Sequence, residues 1–149
     1  MFSQYFGQYL LNEKYLTTSQ LKTAVEYQQS VRLKLGVLAI NAGYMNAQQA
    51  SQVHSMQSKL DKRFGEIAVD LEYMKEEQVD ELLSSQKFGH LLLAQAIIDK
   101  NYMSLEKFEE AMYEYKKKYN ISESQFDKIQ RDDVDEIVNI YVNLDKRSE

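Results

Sequence analysis

The chain has no cysteine, no proline and no tryptophan, and only five glycines in 149 residues. Without cysteine there is no disulfide framework, no thiolate metal site and no cysteine nucleophile. That fits a reducing compartment. Without proline, and with so little glycine, no stretch reads as a flexible low-complexity linker. Histidine occurs twice, as His54 and His90, and neither has a His or Cys partner at ligand spacing. There is no P-loop, no glycine-rich dinucleotide fingerprint and no serine nucleophile elbow. With no residue that stands out as catalytic, a non-enzyme is expected. No run approaches the ~18 apolar residues that a membrane span needs. The N-terminal stretch lacks a basic region and is interrupted by Asn12-Glu13-Lys14, which speaks against a signal peptide. A cytoplasmic protein without membrane insertion is expected.

Apolar residues make up 44% of the chain, an ordinary share for a globular protein. The net charge of −5 is unevenly spread. Residues 1–63 carry seven Lys/Arg against three Asp/Glu, and residues 64–149 carry eleven against twenty. An acidic chain of this kind is a poor binder of duplex nucleic acid. The basic half, with Arg32, Lys34, Lys59, Lys62 and Arg63, offers either a solvated surface or a seat for a small anion.

The dominant pattern is a repeat of 29 residues. Phe64-Gly65 opens one copy, Tyr73-Met74 marks its middle and Gln86 closes it. Leu35-Gly36, Tyr44-Met45 and Gln57 stand at the same offsets one period earlier, and Phe6-Gly7, Tyr15-Leu16 and Gln28 one period before that. Leu93-Ala94, Tyr102-Met103 and Tyr115 follow one period later. Each copy reads as helix, turn, helix. Phe64, Ile67, Ala68 and Leu71 form one apolar stripe, and Val79, Leu82 and Leu83 a second. Thr17, Thr18 and Ser19 in the first copy, Asn46 in the second and Ser104 in the fourth are candidate N-caps. The fold expected is all-α: four tandem 29-residue helix-turn-helix repeats over 1–118, starting near 6, 35, 64 and 93, plus a C-terminal helical segment over 119–149. Lys87 to Leu92 reads as an inter-repeat linker. Stacked pairs of this kind would present an extended surface.

Two positions within the repeat invite a structural and a functional reading. The Tyr at the turn (Tyr15, Tyr44, Tyr73, Tyr102) is read as a packing ring between the two helices with its hydroxyl at the surface. The Gly at the helix start costs ~1 kcal/mol against Ala. Its recurrence implies close approach of a neighbour, either another helix or a ligand lying across the helix N-terminus. His54 falls where other copies have Val25, Leu83 and Met112, so a partly buried packing residue is expected there. Beyond Lys116-Lys117-Lys118, Ser122 caps a further helix, with a break near Arg131-Asp132. Ile137 to Leu144 reads as helix or, from its Val, Ile and Tyr content, as strand. This tail either caps the array or leads into another domain. Asp132, Asp133, Asp135 and Glu136 lack calcium-loop spacing and read as a solvated helix start.

The unit of Arg, Leu or Phe, Gly, apolar residues, a turn Gly, Leu and a closing Gln resembles the motif of the MshEN domain. That domain stands at the N-termini of type II secretion and type IV pilus assembly ATPases, where two tandem copies bind cyclic di-GMP. Four such units with a further helix also resemble the N-terminal half of bacterial proteins that carry a CheX-like chemotaxis phosphatase domain. The resemblance implies a ligand-binding, non-catalytic regulatory module that serves signalling, motility or secretion. It places the cyclic dinucleotide between repeats 2 and 3. In repeat 2 it implies Lys34, Leu35, Gly36, Ile40, Gly43 and Gln57 as ligand-binding residues. In repeat 3 it implies Arg63, Phe64, Gly65, Val69 and Gln86. A ligand with two phosphates and two flat bases suits two similar half-sites, and Arg can fork onto phosphate or guanine. The departures are Lys34 in place of Arg, Glu72 in place of the turn Gly, and Tyr5 and Leu92 at the Arg position of repeats 1 and 4. The alternative is a protein–protein interaction module of the same fold that has lost the nucleotide.

Overall fold

Why the chain turns where it does is visible in its backbone torsions. In the computed structural model, which describes residues 1–85 and 87–147, Lys14, Gly43, Glu72 and Asn101 are all left-handed, with φ of 63°, 79°, 62° and 61°. Each closes a helix by the same pair of bonds. The N–H of the following Tyr returns to the carbonyl five residues back: Tyr15 to Leu10, Tyr44 to Ala39, Tyr73 to Ala68 and Tyr102 to Ile97, at 2.9–3.0 Å. The left-handed residue itself donates three residues back. This is the Schellman arrangement, which satisfies carbonyls that a helix end leaves open and favours an apolar contact from the residue after the left-handed one. The half-buried Tyr and the buried Leu16, Met45, Met74 and Met103 that follow supply that contact.

The next helix is then capped at a fixed distance. Thr17 accepts from the Gln20 amide, and Gln20 Oε1 accepts from the Thr17 amide. Asn46 and Gln49 form the same reciprocal box. Ser104 accepts from the Lys107 amide. Lys75 has no acceptor to offer, so only the return half forms, with Gln78 Oε1 taking its backbone N–H at 2.9 Å.

Caps and turns together set out helical hairpins: α1 (Phe2–Asn12) with α2 (Thr18–Tyr27), α3 (Leu35–Ala42) with α4 (Ala47–Leu60), α5 (Phe64–Asp70) with α6 (Glu76–Ser84), and α7 (Gly89–Asp99) with α8 (Leu105–Lys118). Ser122 caps α9 (Glu123–Gln130), and α10 (Val134–Arg147) follows. Among the described residues all regular structure is helical.

The hairpins do not stack in a row. Helices α1 and α2 lie on α7, α4 lies on α5, and α3 lies on α5 and α6. The two halves meet where α3 touches α7 and α8 and α4 touches α8. First and fourth hairpins therefore close on each other, which a nearest-neighbour solenoid would not do. Phe2, Phe6, Leu10, Leu91, Ile97, Phe108 and Tyr115 are fully buried at that closure. Burial of one such side chain contributes about 1.5–3 kcal/mol.

Three expectations need correction. Helix α7 begins at Gly89, so Lys87 to Leu92 is not a linker; His90 and Leu91 are buried in its first turn. Helix α1 likewise begins at Phe2, ahead of Phe6. Ile137 to Leu144 lies within helix α10, the helical of its two readings. His54 is exposed, as are Val25 and Leu83, because that face of α2, α4 and α6 points outward, whereas Met112 at the same place on α8 is buried.

Candidate functional site

The residues expected to bind a ligand lie at the starts of α3 and α5. Lys34 and Arg63 are the extended N-cap residues of these helices. Immediately after each cap the two helices exchange side chains. A β-carbon on Gly36 would stand 3.5 Å from Phe64 Cζ, and one on Gly65 would stand 3.4 Å from Leu35 Cδ2. The same exchange joins the other two hairpins in one direction, with Gly7 3.3 Å from Leu93 Cδ2. Gly36 and Gly65 thus each admit the apolar residue that opens the facing helix, whereas Leu93 is the fifth residue of α7. Gly65 is also pressed by Val79, whose Cγ1 lies 2.9 Å from the β-carbon position.

The turn tyrosines repeat this reciprocity. Tyr44 donates its hydroxyl to both carboxylate oxygens of Glu81 at 3.0 and 2.9 Å, and Tyr73 donates to Gln52 Oε1 at 2.5 Å. Glu81 and Gln52 hold corresponding places on α6 and α4. The bond to Glu81, with burial second, raises the Tyr44 hydroxyl above its ordinary pKa. Tyr15 reaches Glu110 of α8 at 3.5 Å, and is raised by burial first and by that carboxylate next. The pair α3–α4 and α5–α6 therefore has an approximate local two-fold.

The other expected site residues have separate surroundings. Ile40 is buried in the core and Val69 is half-buried. Gly43 is the exposed left-handed turn residue, with nothing within 4 Å of its β-carbon position. Gln57 is half-buried near the end of α4. Gln86 lies outside the described residues. Arg63 is exposed, and its side chain makes no hydrogen bond or ion pair with the described residues. Lys34 is held instead by α7: its amide donates to Gln95 Oε1 at 3.1 Å and its ammonium stands 3.5 Å from Asp99. Gln95 is 1% exposed and donates its own amide to Asp99 at 2.9 Å.

Gln95 and Asp99 were not among the residues expected here. The available signal was a glutamine set among Leu93, Ala94, Ala96 and Ile97, a polar group on a wholly apolar stretch that needs a partner once buried. No family model matches the chain, and neither does any curated protein or solved structure.

Two of the depressions between the described residues lie near these elements. One, of about 480 Å³, lies where the α1–α2 turn faces the α7–α8 turn and is lined by Tyr15, Tyr102, Lys14, Lys107, Glu13 and Glu110. Its charges are balanced and partly paired, with Lys107 3.1 Å from Glu110. The other, of about 220 Å³, lies between α3, α6 and α9 over Leu38, Leu82, Phe88 and Phe126. Among the described residues no group of His, Cys, Asp or Glu is placed to hold a metal ion, and no helix is long and apolar enough to cross a membrane.

Proposed function

We propose that the chain is a non-catalytic regulatory module of four tandem 29-residue helical pairs, of the MshEN type, acting in the cytoplasm. Its site is the α3/α5 pair, and its ligand is a cyclic dinucleotide such as cyclic di-GMP. The observation that carries this reading is the reciprocal exchange of Phe64 and Leu35 across Gly36 and Gly65. It sets two like half-sites, each with a cation at the cap (Lys34, Arg63), about one local two-fold. A cyclic dinucleotide has the same symmetry, and each phosphate would meet one cation. Arg63 is free to engage such a ligand, whereas Lys34 must leave Asp99 to do so. Calorimetric titration of the wild-type chain and of Arg63→Ala with cyclic di-GMP tests it. Heat from the wild type that is reduced at least tenfold in affinity by the substitution supports the reading. A wild type that gives no heat at high micromolar ligand overturns it.

A second reading is an interaction module of the same fold that binds a protein of the signalling or secretion machinery and no nucleotide. It is favoured by the clearance at Gly36 and Gly65 being filled by the chain's own side chains. Val25, Leu83 and Tyr113, at 45%, 69% and 63% exposed, leave apolar contacts on the outer faces of α2, α6 and α8. A captured partner that still binds Arg63→Ala, together with silence in the nucleotide titration, would select this reading.

A further inference from the structure

Helices α9 and α10 cover the part of the core that holds a polar atom without a partner. His90 lies on α7 with 1% of its surface exposed. Its ring is boxed by Phe2 at 5.0 Å and Phe6 at 5.9 Å from α1, by Phe88 at 6.1 Å, and by Phe126 at 5.8 Å from α9. Asn41 of α3 gives its amide N–H to Gln130 of α9 at 3.1 Å, which leaves Asn41 Oδ1 to accept from His90 Nε2 at 3.1 Å. The ring proton is thereby assigned to Nε2, and Nδ1 is left bare, buried and unbonded.

The covering hairpin is attached in a particular way. Among the described residues, the backbones of α9 and α10 come closest to each other. Their hold on the rest runs through side chains: Phe126 on His90, Tyr141 hydrogen-bonded to Tyr115 at 2.5 Å and stacked on Tyr5, and Asp132 accepting the Phe2 amide at 2.9 Å. The 220 Å³ groove reaches Phe88, Phe126 and Asn41, so solvent stands one side chain away from the imidazole.

We propose that the α9–α10 hairpin is a displaceable cover over the His90 box, and that protonation of His90 drives it open as a unit. The groups that face His90 set the direction. Phe2, Phe6, Phe126 and Asn41 are uncharged. Asp132 between α9 and α10 favours the imidazolium, Lys116 of α8 opposes it, and burial opposes it most, holding the group down to about 3 from an ordinary 6.5. An opened cover lets water reach the ring and restores the ordinary value. The open state therefore takes up the proton over the interval between those two values, and acidification favours it.

Hydrogen exchange on the full chain from pH 7.5 to 4.5, corrected for intrinsic rates, tests this. The amides of α9 and α10 are expected to be less protected than those of α3 and α4 at every pH, and to lose protection together, roughly tenfold per pH unit below about pH 6. In His90→Phe the slope should vanish. Phe126→Ala should lower hairpin protection at pH 7.5 at least tenfold, with the hairpin staying less protected than α4. Hairpin protection equal to that of α4 at every pH overturns the separate cover. A slope that persists in His90→Phe overturns the role of the imidazole.

Discussion

The ring of Phe64 fills the space over Gly36, its Cζ 3.5 Å from the point where a β-carbon would stand. That is ordinary van der Waals contact, so the glycine keeps some room. Gly65 has none, because the stiff branched side chain of Val79 stands 2.9 Å from its β-carbon position. The two substitutions should therefore differ in sign. Gly36→Ala is expected to be neutral or to stabilise by up to about 1 kcal/mol through helix propensity. Gly65→Ala must displace Val79 and is expected to cost about 1–3 kcal/mol. Urea unfolding of both variants checks this. Equal effects would show that the helix crossing yields more easily than its contacts imply.

The left-handed turns provide a test free of side-chain packing. Nothing lies within 4 Å of a β-carbon on Gly43, so Gly43→Ala is strained only by its φ of 79°. A cost of about 1–2 kcal/mol is expected. Glu72 holds the same conformation at φ 62° with a β-carbon in place. Glu72→Gly should recover about 0.5–1 kcal/mol, the strain relieved being partly offset by the added freedom of the unfolded chain. Thermal melts of the pair should move in opposite directions.

These turns also show why part of the fold was legible. The period of the Gly and Tyr positions, and caps such as Thr17, Asn46, Ser104 and Ser122, are local chemistry, readable from residue type and spacing. Spacing alone also suggested that Gly marks close approach, and it does, with Phe64 and Leu35 as the neighbours. What could not be read was long-range. Closure of α1 on α7 pairs residues about ninety positions apart, and nothing local announces it. The early start of α7 follows from that closure, because His90 and Leu91 need α1 and α9 for their burial. The engagement of Lys34 by Gln95 and Asp99 is of the same kind.

Acid should weaken the whole fold through His90. The folded chain holds its pKa at about 3, below the unfolded 6.5, because burial penalises the charged ring. The unfolded chain therefore binds the extra proton, and stability is lost as pH falls below 6.5, levelling off near 3. Between pH 6.5 and 5 the loss from this one group is about 2 kcal/mol. Chemical denaturation of wild type and His90→Phe across that interval measures it, since the variant should lack this component. A wild-type curve parallel to the variant's would mean that the box admits the proton without opening.

Gln95 links the candidate site to the core, and its replacement should be felt at Lys34. The side chain is buried, accepts the Lys34 amide and donates to Asp99. Gln95→Leu keeps most of the volume and adds apolar contact, but leaves the Lys34 amide and the Asp99 carboxylate short of one bond each. Such unsatisfied groups cost about 1–3 kcal/mol. Added apolar burial offsets part of this, so a net loss of about 1–2 kcal/mol is expected in urea unfolding. Asp99→Asn separates charge from geometry, since it removes the carboxylate charge that faces the Lys34 ammonium. At 63% exposure for Lys34 that ion pair contributes little to stability, and the variant should unfold within about 0.5 kcal/mol of wild type. A larger loss in Asp99→Asn than in Gln95→Leu would place the strength of this corner in the ion pair and not in the buried amide.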